Sequence, residues 1–286
     1  CESSFKMINV TINQTPQIDT ARLSIATTCQ SYNVTVLLGG SSNLADGKYN
    51  ILYDLSGDNI GTGIAAELNV TSGIGVFRIP AAVAPNAGST TVSITNITNS
   101  ITNCTNTVNL SKSFTTNPLP DISNMAVDIN NVCLGQPATV VITGLGSLNK
   151  ININFSLSGA NVVRIKTISL NVVSGQTDFV IPVSDITNAG VTTFNMTNIT
   201  NTENGCPIFI DHKTDFIVNA PPIVSSIALR INDGCPNLPL NVAISGLDNL
   251  SDALLSYSVS GANAIVSETV ALEVIGGNAN FSIPGT

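Results

Sequence analysis

The sequence predicts an all-β chain of tandem sandwich domains stacked end to end. Three observations carry that prediction: a 102-residue internal period, strands with two-residue hydrophobic alternation, and a composition poor in helix formers. The string Phe77-Arg78-Ile79-Pro80 returns as Phe179-Val180-Ile181-Pro182 and as Phe281-Ser282-Ile283-Pro284, each time displaced by 102 positions. The same offset carries Leu55-Ser56-Gly57-Asp58-Asn59 onto Leu157-Ser158-Gly159-Ala160-Asn161, and Asn86-Ala87-Gly88 onto Asn188-Ala189-Gly190. Between Cys29 and Gly57 the register slips by two residues, placing an insertion in the loop around Ala45-Asp46-Gly47, where added length is cheap.

Proline cannot continue a β-ladder and stiffens a short linker, so Pro16, Pro118 to Pro120 and Pro221 to Pro222 mark the expected boundaries. Residues 1–16 then read as the last strand of a preceding repeat, 17–120 and 121–222 as complete repeats, and 223–286 as a truncated one. Within the second repeat, strands are expected at Ile122 to Ile129, Ala138 to Thr143, Ile151 to Ser158, Val162 to Val173 (as one or two strands), Phe179 to Val183, Thr192 to Thr200 and Ile208 to Val218. Ile151, Ile153, Phe155 and Leu157 alternate with Asn152, Asn154, Ser156 and Ser158, the pattern of a strand buried on one face. Seven strands in about a hundred residues point to an immunoglobulin-like Greek-key sandwich. Tryptophan is absent, so Phe155, Phe179, Phe194 and Phe216 are the largest expected core pieces.

Charged residues make up 10% of the chain, aromatic residues 5%, and the net charge is −8. The ten lysines and arginines stand singly, which excludes the clustered cations that nucleic-acid binding needs. Mean hydropathy is +0.33. No apolar run reaches the roughly 18–20 residues that cross a bilayer, so the apolar content is spread over half-buried strands.

Cys1, Cys29, Cys104, Cys133, Cys206 and Cys235 follow the repeat, and with no Cys-x-x-Cys pair and one histidine they read as structural disulfide candidates from an oxidising compartment. Pairing within a repeat, Cys29 with Cys104 and Cys133 with Cys206, closes loops of about 75 residues that the chain-entropy model values at about 4 kcal/mol each. Head-to-tail stacking instead brings Cys29 toward Cys206 of the next repeat and leaves Cys1, Cys104, Cys133 and Cys235 to other partners. A third arrangement joins the neighbours Cys104 and Cys133. Pairing within a repeat is the first expectation of the three.

No catalytic, cofactor-binding or metal-binding residue is assigned. His212 stands where the first repeat has Leu110, and Asp54 and Asp58 face Ser156 and Ala160 in the second repeat, so neither a triad nor a carboxylate pair recurs. Gly39-Gly40 and Gly276-Gly277 precede no helix and read as turns. The oxygen-rich loops at Asp128, Asn130 and Asn131, and at Asn232 and Asp233, hold too few carboxylates for a tight calcium cage. Asn-x-Ser/Thr triplets are frequent but follow from an Asn- and Thr-rich composition.

The turn Asn204-Gly205-Cys206 after Thr197-Asn198-Ile199-Thr200, the Pro221-Pro222 junction and the next cysteine 29 residues on resemble the repeats of giant surface adhesins of Bacteroidota. Among these are the SprB-like gliding-motility adhesins and other type IX secretion substrates. The resemblance implies an extracellular, outer-membrane-associated location and the role of a filament or stalk in adhesion and gliding. It also implies O-glycosylation at Thr20, within Asp19-Thr20-Ala21. The expected partners are neighbouring repeats of the same chain, with surface glycans or abiotic surfaces as outer contacts. The rival readings are an array of carbohydrate-binding modules, which would rest on Tyr32, Tyr49, Tyr53 and Tyr257, and an accessory region of a secreted hydrolase.

Overall fold

The computed structural model describes residues 6–18, 21–40, 44–223, 226–248 and 250–285; Cys1 and Thr20 lie outside the described residues. The first unit contains β1 (Ala21–Ile25), β2 (Thr28–Cys29), β3 (Val34–Gly40), β4 (Gly47–Gly57), β5 (Gly61–Thr71), β6 (Ile74–Ile79), β7 (Gly88–Asn99) and β8 (Thr105–Asn117). The second repeats this order as β9 (Ala126–Ile129), β10 (Val132–Cys133), β11 (Ala138–Thr143), β12 (Lys150–Gly159), β13 (Val163–Asn171), β14 (Thr177–Ile181), β15 (Gly190–Asn201) and β16 (Pro207–Asn219). The third shows five strands: β17 (Ala228–Ile231), β18 (Leu240–Ser245), β19 (Asp252–Val259), β20 (Ile265–Glu273) and β21 (Asn278–Ile283).

The second unit is an immunoglobulin-like sandwich, with one sheet in the order β14-β11-β9 and the other β10-β16-β15-β12-β13. Alternation decides which face of β12 is inward: Ile151, Ile153, Phe155 and Leu157 are buried, while the asparagines and serine between them are half-buried. Phe155, Phe179 and Phe194 meet with ring centroids 5.2, 5.3 and 6.1 Å apart, the offset geometry aromatic pairs prefer. Edge strand β13 carries Arg164 and Lys166 on its exposed length, which discourages further strand addition. In the first unit the two sheets join through β5 and β6, giving one sheet in the order β1-β3-β6-β5-β4-β7-β8-β2.

One strand starts later than expected, and the segment left open as one or two strands proves to be one. The first strand of the second unit begins at Ala126, because Met125 N–H donates to Ile122 O at 3.0 Å and closes a turn first. Val162 to Val173 forms a single strand, Val163–Asn171, ended by a Ser174-Gly175 turn with positive φ at both residues. Residues 6–16, read as a strand of a preceding repeat, lie outside any sheet; Met7 is 94% and Ile12 90% exposed, since no partner strand is present among the described residues. In the third unit, Ala253, Leu255, Tyr257 and Val259 are only half-buried, because counterparts of β15 and β16 are absent among the described residues.

The repeated Ser-Gly-x-Asn and Asn-Ala-Gly strings prove to be two halves of one clasp. Buried Asn161 donates through Nδ2 to Asn188 O at 2.9 Å and Thr192 Oγ1 at 2.8 Å, while its Oδ1 accepts from Asn188 N–H at 2.9 Å. Asn59 makes the same three bonds to Asn86 and Thr90. The turn reaches this position through Gly57 and Gly159, at φ 98° and 91°, where a Cβ would run into the carbonyl oxygen of Ser89 or Val191. Each asparagine satisfies all the polar groups it buries, which makes the clasp stabilising rather than costly.

Tyr53 has no such satisfaction. It occupies the place of Phe155, packs on Phe77 at 5.6 Å, and its buried hydroxyl finds no hydrogen-bond partner among the described residues; burial pushes its pKa up. Thr116 Oγ1, at the place of Val218, is likewise buried and unpaired.

Replacing Asn161 or Asn59 by alanine is expected to destabilise its own unit by about 2–4 kcal/mol, since each leaves a buried N–H and a hydroxyl unpaired. Tyr53→Phe is expected to stabilise the first unit by about 1 kcal/mol by removing an unsatisfied hydroxyl. Hydrogen-exchange mass spectrometry, which reads each unit separately, checks both signs.

Candidate functional site

The most developed site in the chain is the joint between the first and second units, and it begins with two residues of parallel pairing. Thr28 and Cys29 of β2 lie beside Thr116 and Asn117 at the end of β8, and Gln30 N–H donates to Asn117 O at 2.8 Å. This leaves Cys29, early in the first unit's sequence, at the end from which the chain leaves for the second unit.

The opposing half is the turn between β15 and β16. Gly205 N–H donates to Asn201 O at 2.9 Å, Asn201 N–H to Cys206 O at 3.0 Å, and Glu203 N–H to Asn201 Oδ1 at 3.0 Å. Gly205 takes φ 73°, a left-handed position suited to glycine. Asn204 Oδ1 accepts from Cys206 N–H at 2.9 Å, which fixes the cysteine's backbone within the turn.

Cys29 and Cys206 form a disulfide with Cα atoms 5.5 Å apart, within the usual range, across a sequence separation of 177. Asn204 Nδ2 donates to Pro118 O at 3.2 Å and Asn117 Nδ2 to Asn204 O at 3.4 Å, so the linker is held against the turn beside the sulfurs. Cys206 is fully buried. The expected pairs within a repeat, Cys29 with Cys104 and Cys133 with Cys206, are not formed, and neither is Cys104 with Cys133. The physical reason is placement: the cysteine on the short parallel strand lies at one end of its unit and the cysteine of the last hairpin at the other.

Among the described residues Cys104, Cys133 and Cys235 have no disulfide partner. Cys133 repeats the setting of Cys29: it lies beside Asn219, and Leu134 N–H donates to Asn219 O at 2.8 Å. Cys104 repeats that of Cys206, in a turn where Asn103 N–H donates to Asn99 O at 2.9 Å and Asn99 N–H to Cys104 O at 3.0 Å. Asn106 Nδ2 donates to Pro16 O at 3.0 Å, much as Asn204 reaches Pro118.

No known protein family matches the sequence, and no curated protein does either. Solved structures are similar to it over most of its length. A titin I-band fragment spanning I67–I69 is 9% identical over 96% of this chain and 90% of its own, with a TM-score of 0.39. The chicken contactin FN1–FN3 domains are 9% identical over 95% and 88%, with a TM-score of 0.36. A marsupial T cell receptor is 10% identical over 92% and 99%, with a TM-score of 0.42.

Other positions weighed for chemistry are spoken for. Asp54 Oδ1 accepts from Gly63 N–H at 2.7 Å and Asp58 Oδ2 from Ser89 N–H at 2.6 Å, so each carboxylate is held by a backbone N–H, the first within its hairpin and the second from a distant strand. His212 is a half-buried residue of β16 whose Nε2 lies 3.1 Å from Thr214 Oγ1. Asn131 Oδ1 accepts from Ile217 N–H at 2.8 Å and so stitches β10 toward β16. Among the described residues no three His, Cys, Asp or Glu side chains gather, and no helix is long and apolar enough to cross a membrane.

Proteolysis of the non-reduced, thiol-blocked chain is expected to yield one linked peptide joining Cys29 to Cys206, with Cys104, Cys133 and Cys235 alkylated without reduction. A linked peptide joining Cys29 to Cys104, or Cys133 to Cys206, would overturn the assignment.

Proposed function

We propose that this chain is a stalk segment of a large bacterial cell-surface adhesin, a filament whose repeated units serve as spacers and take part in adhesion. The observation that carries this reading is the Cys29–Cys206 bond: it gives consecutive units a second covalent connection beside their linker. A spacer needs a joint of defined geometry, whereas an enzyme or a lectin needs a cleft. We take the units as residues 17–120, 121–222 and 223–286. The resemblance at Asn204-Gly205-Cys206 adds the finer parts of the reading: type IX export, attachment at the outer membrane and kinship with gliding-motility adhesins.

The carbohydrate-binding reading loses two of its four aromatic residues, since Tyr49 is 3% exposed and Tyr53 fully buried. Tyr257 is also engaged, with its hydroxyl donating to Glu268 Oε2 at 2.7 Å and its ring on Phe281 at 5.0 Å. A lectin face would present such rings to solvent.

Immunogold electron microscopy of the source cells, with antibody against the first two units, tests the reading. Gold along thin surface fibres is the expected result. Label confined to the cell interior, or selective glycan binding by the isolated chain on an array, would defeat it.

A further inference from the structure

We infer that the Cys29–Cys206 disulfide is a strap that carries tension: a pull along the chain passes from Cys29 directly to Cys206 and bypasses the 177-residue separation between them. The inference rests on the stalk reading for its purpose, but its mechanics follow from the covalent path and the strand order. Force entering ahead of the first unit runs through β1 and β2 to Cys29. It then crosses the sulfurs to Cys206, runs down β16 and leaves at Asn219 for the third unit. Strands β3 to β15 lie off this route.

What remains on the route has little slack. β16 is a 13-residue strand, already extended over about 43 Å at ~3.3 Å per residue. It is pulled at its two ends, Cys206 before Pro207 and the linker after Asn219. Its ladder to β15 runs from Thr200↔Pro207 to Gly190↔Val218, and β10 adds Val132↔Val218 and Cys133↔Asn219 on the other edge. β15 and β10 lie inside the bypassed loop, so these ladders hold the body of the unit onto the strand that carries the tension without themselves standing in series with it. In the first unit the loaded segment is β1, laddered to β3 from Ala21↔Gly40 to Ile25↔Val36, followed by β2 against β8. The two cores sit off the force path, and the joint transmits load without unfolding either unit.

The strap also explains why the joint is built with such care while each unit has a complete core of its own. The buried cluster from Ile18 to Phe114 and that from Ile129 to Val218 need no help from the bond. In the chain-entropy model a bond closing so long a loop also stabilises the folded pair; its distinctive effect is on how the pair responds to a pull.

Single-molecule force spectroscopy on the whole chain, held at its two termini, tests the inference. In the oxidised chain, no rupture should release the residues between Cys29 and Cys206. Under reductant, or in Cys206→Ser without reductant, the total extension should grow by about 600 Å, the reach of a segment of that length at ~3.4 Å per residue. Asn161→Ala should lower the rupture force of the second unit in the reduced chain and add no length in the oxidised one. Equal extension with and without reductant would overturn the strap. That result would leave the stalk reading standing, and a failure to find surface fibres would leave the strap standing.

Discussion

Strand β2 is two residues long, yet its parallel pairing with the end of β8 decides where the first unit can be joined to anything else. The first strand of the sandwich runs with β3 in one sheet, and the chain then crosses to the opposite sheet for Thr28 and Cys29 alone. Without that switch Cys29 would stay on the far sheet from β8. With it, the cysteine stands next to Asn117, one residue before the proline linker, and the turn of the second unit closes over it through Asn204.

The two complete units act as controls for each other. Their shared clasp at Asn59 and Asn161 shows a buried polar group that is fully paired, and at Tyr53 and Thr116 the first unit keeps polar atoms where the second has Phe155 and Val218. The second unit's core therefore leaves no buried side-chain polar atom unpaired among the described residues, and it brings three phenylalanine rings into mutual contact. The first compensates in its backbone: the pairing of β5 with β6 from Asn69↔Val76 to Thr71↔Ile74 closes an edge that the second unit bridges only at Val173↔Gln176.

Much of this was legible in the sequence. Strict alternation in Ile151 to Leu157 identifies β12 because a strand buried on one face permits no other arrangement, and the period locates its counterpart β4. The disulfide was legible only as one of three alternatives: head-to-tail stacking offered Cys29 with Cys206, but spacing along the chain does not say which end of a sandwich a cysteine occupies. That depends on a two-residue strand too short to have a pattern. The asparagine clasp was not legible: Asn after Ser-Gly reads as a turn residue, and only the approach of Asn86 or Asn188 from another loop turns it into a core group.

The bond between Cys29 and Cys206 joins a unit to the one that follows it and to no more distant unit. Loss or duplication of a whole 102-residue period therefore leaves each cysteine of this kind facing a hairpin in the same register, whereas a change by part of a period does not. An array tied in this way keeps its covalent pattern only when its units are gained or lost whole.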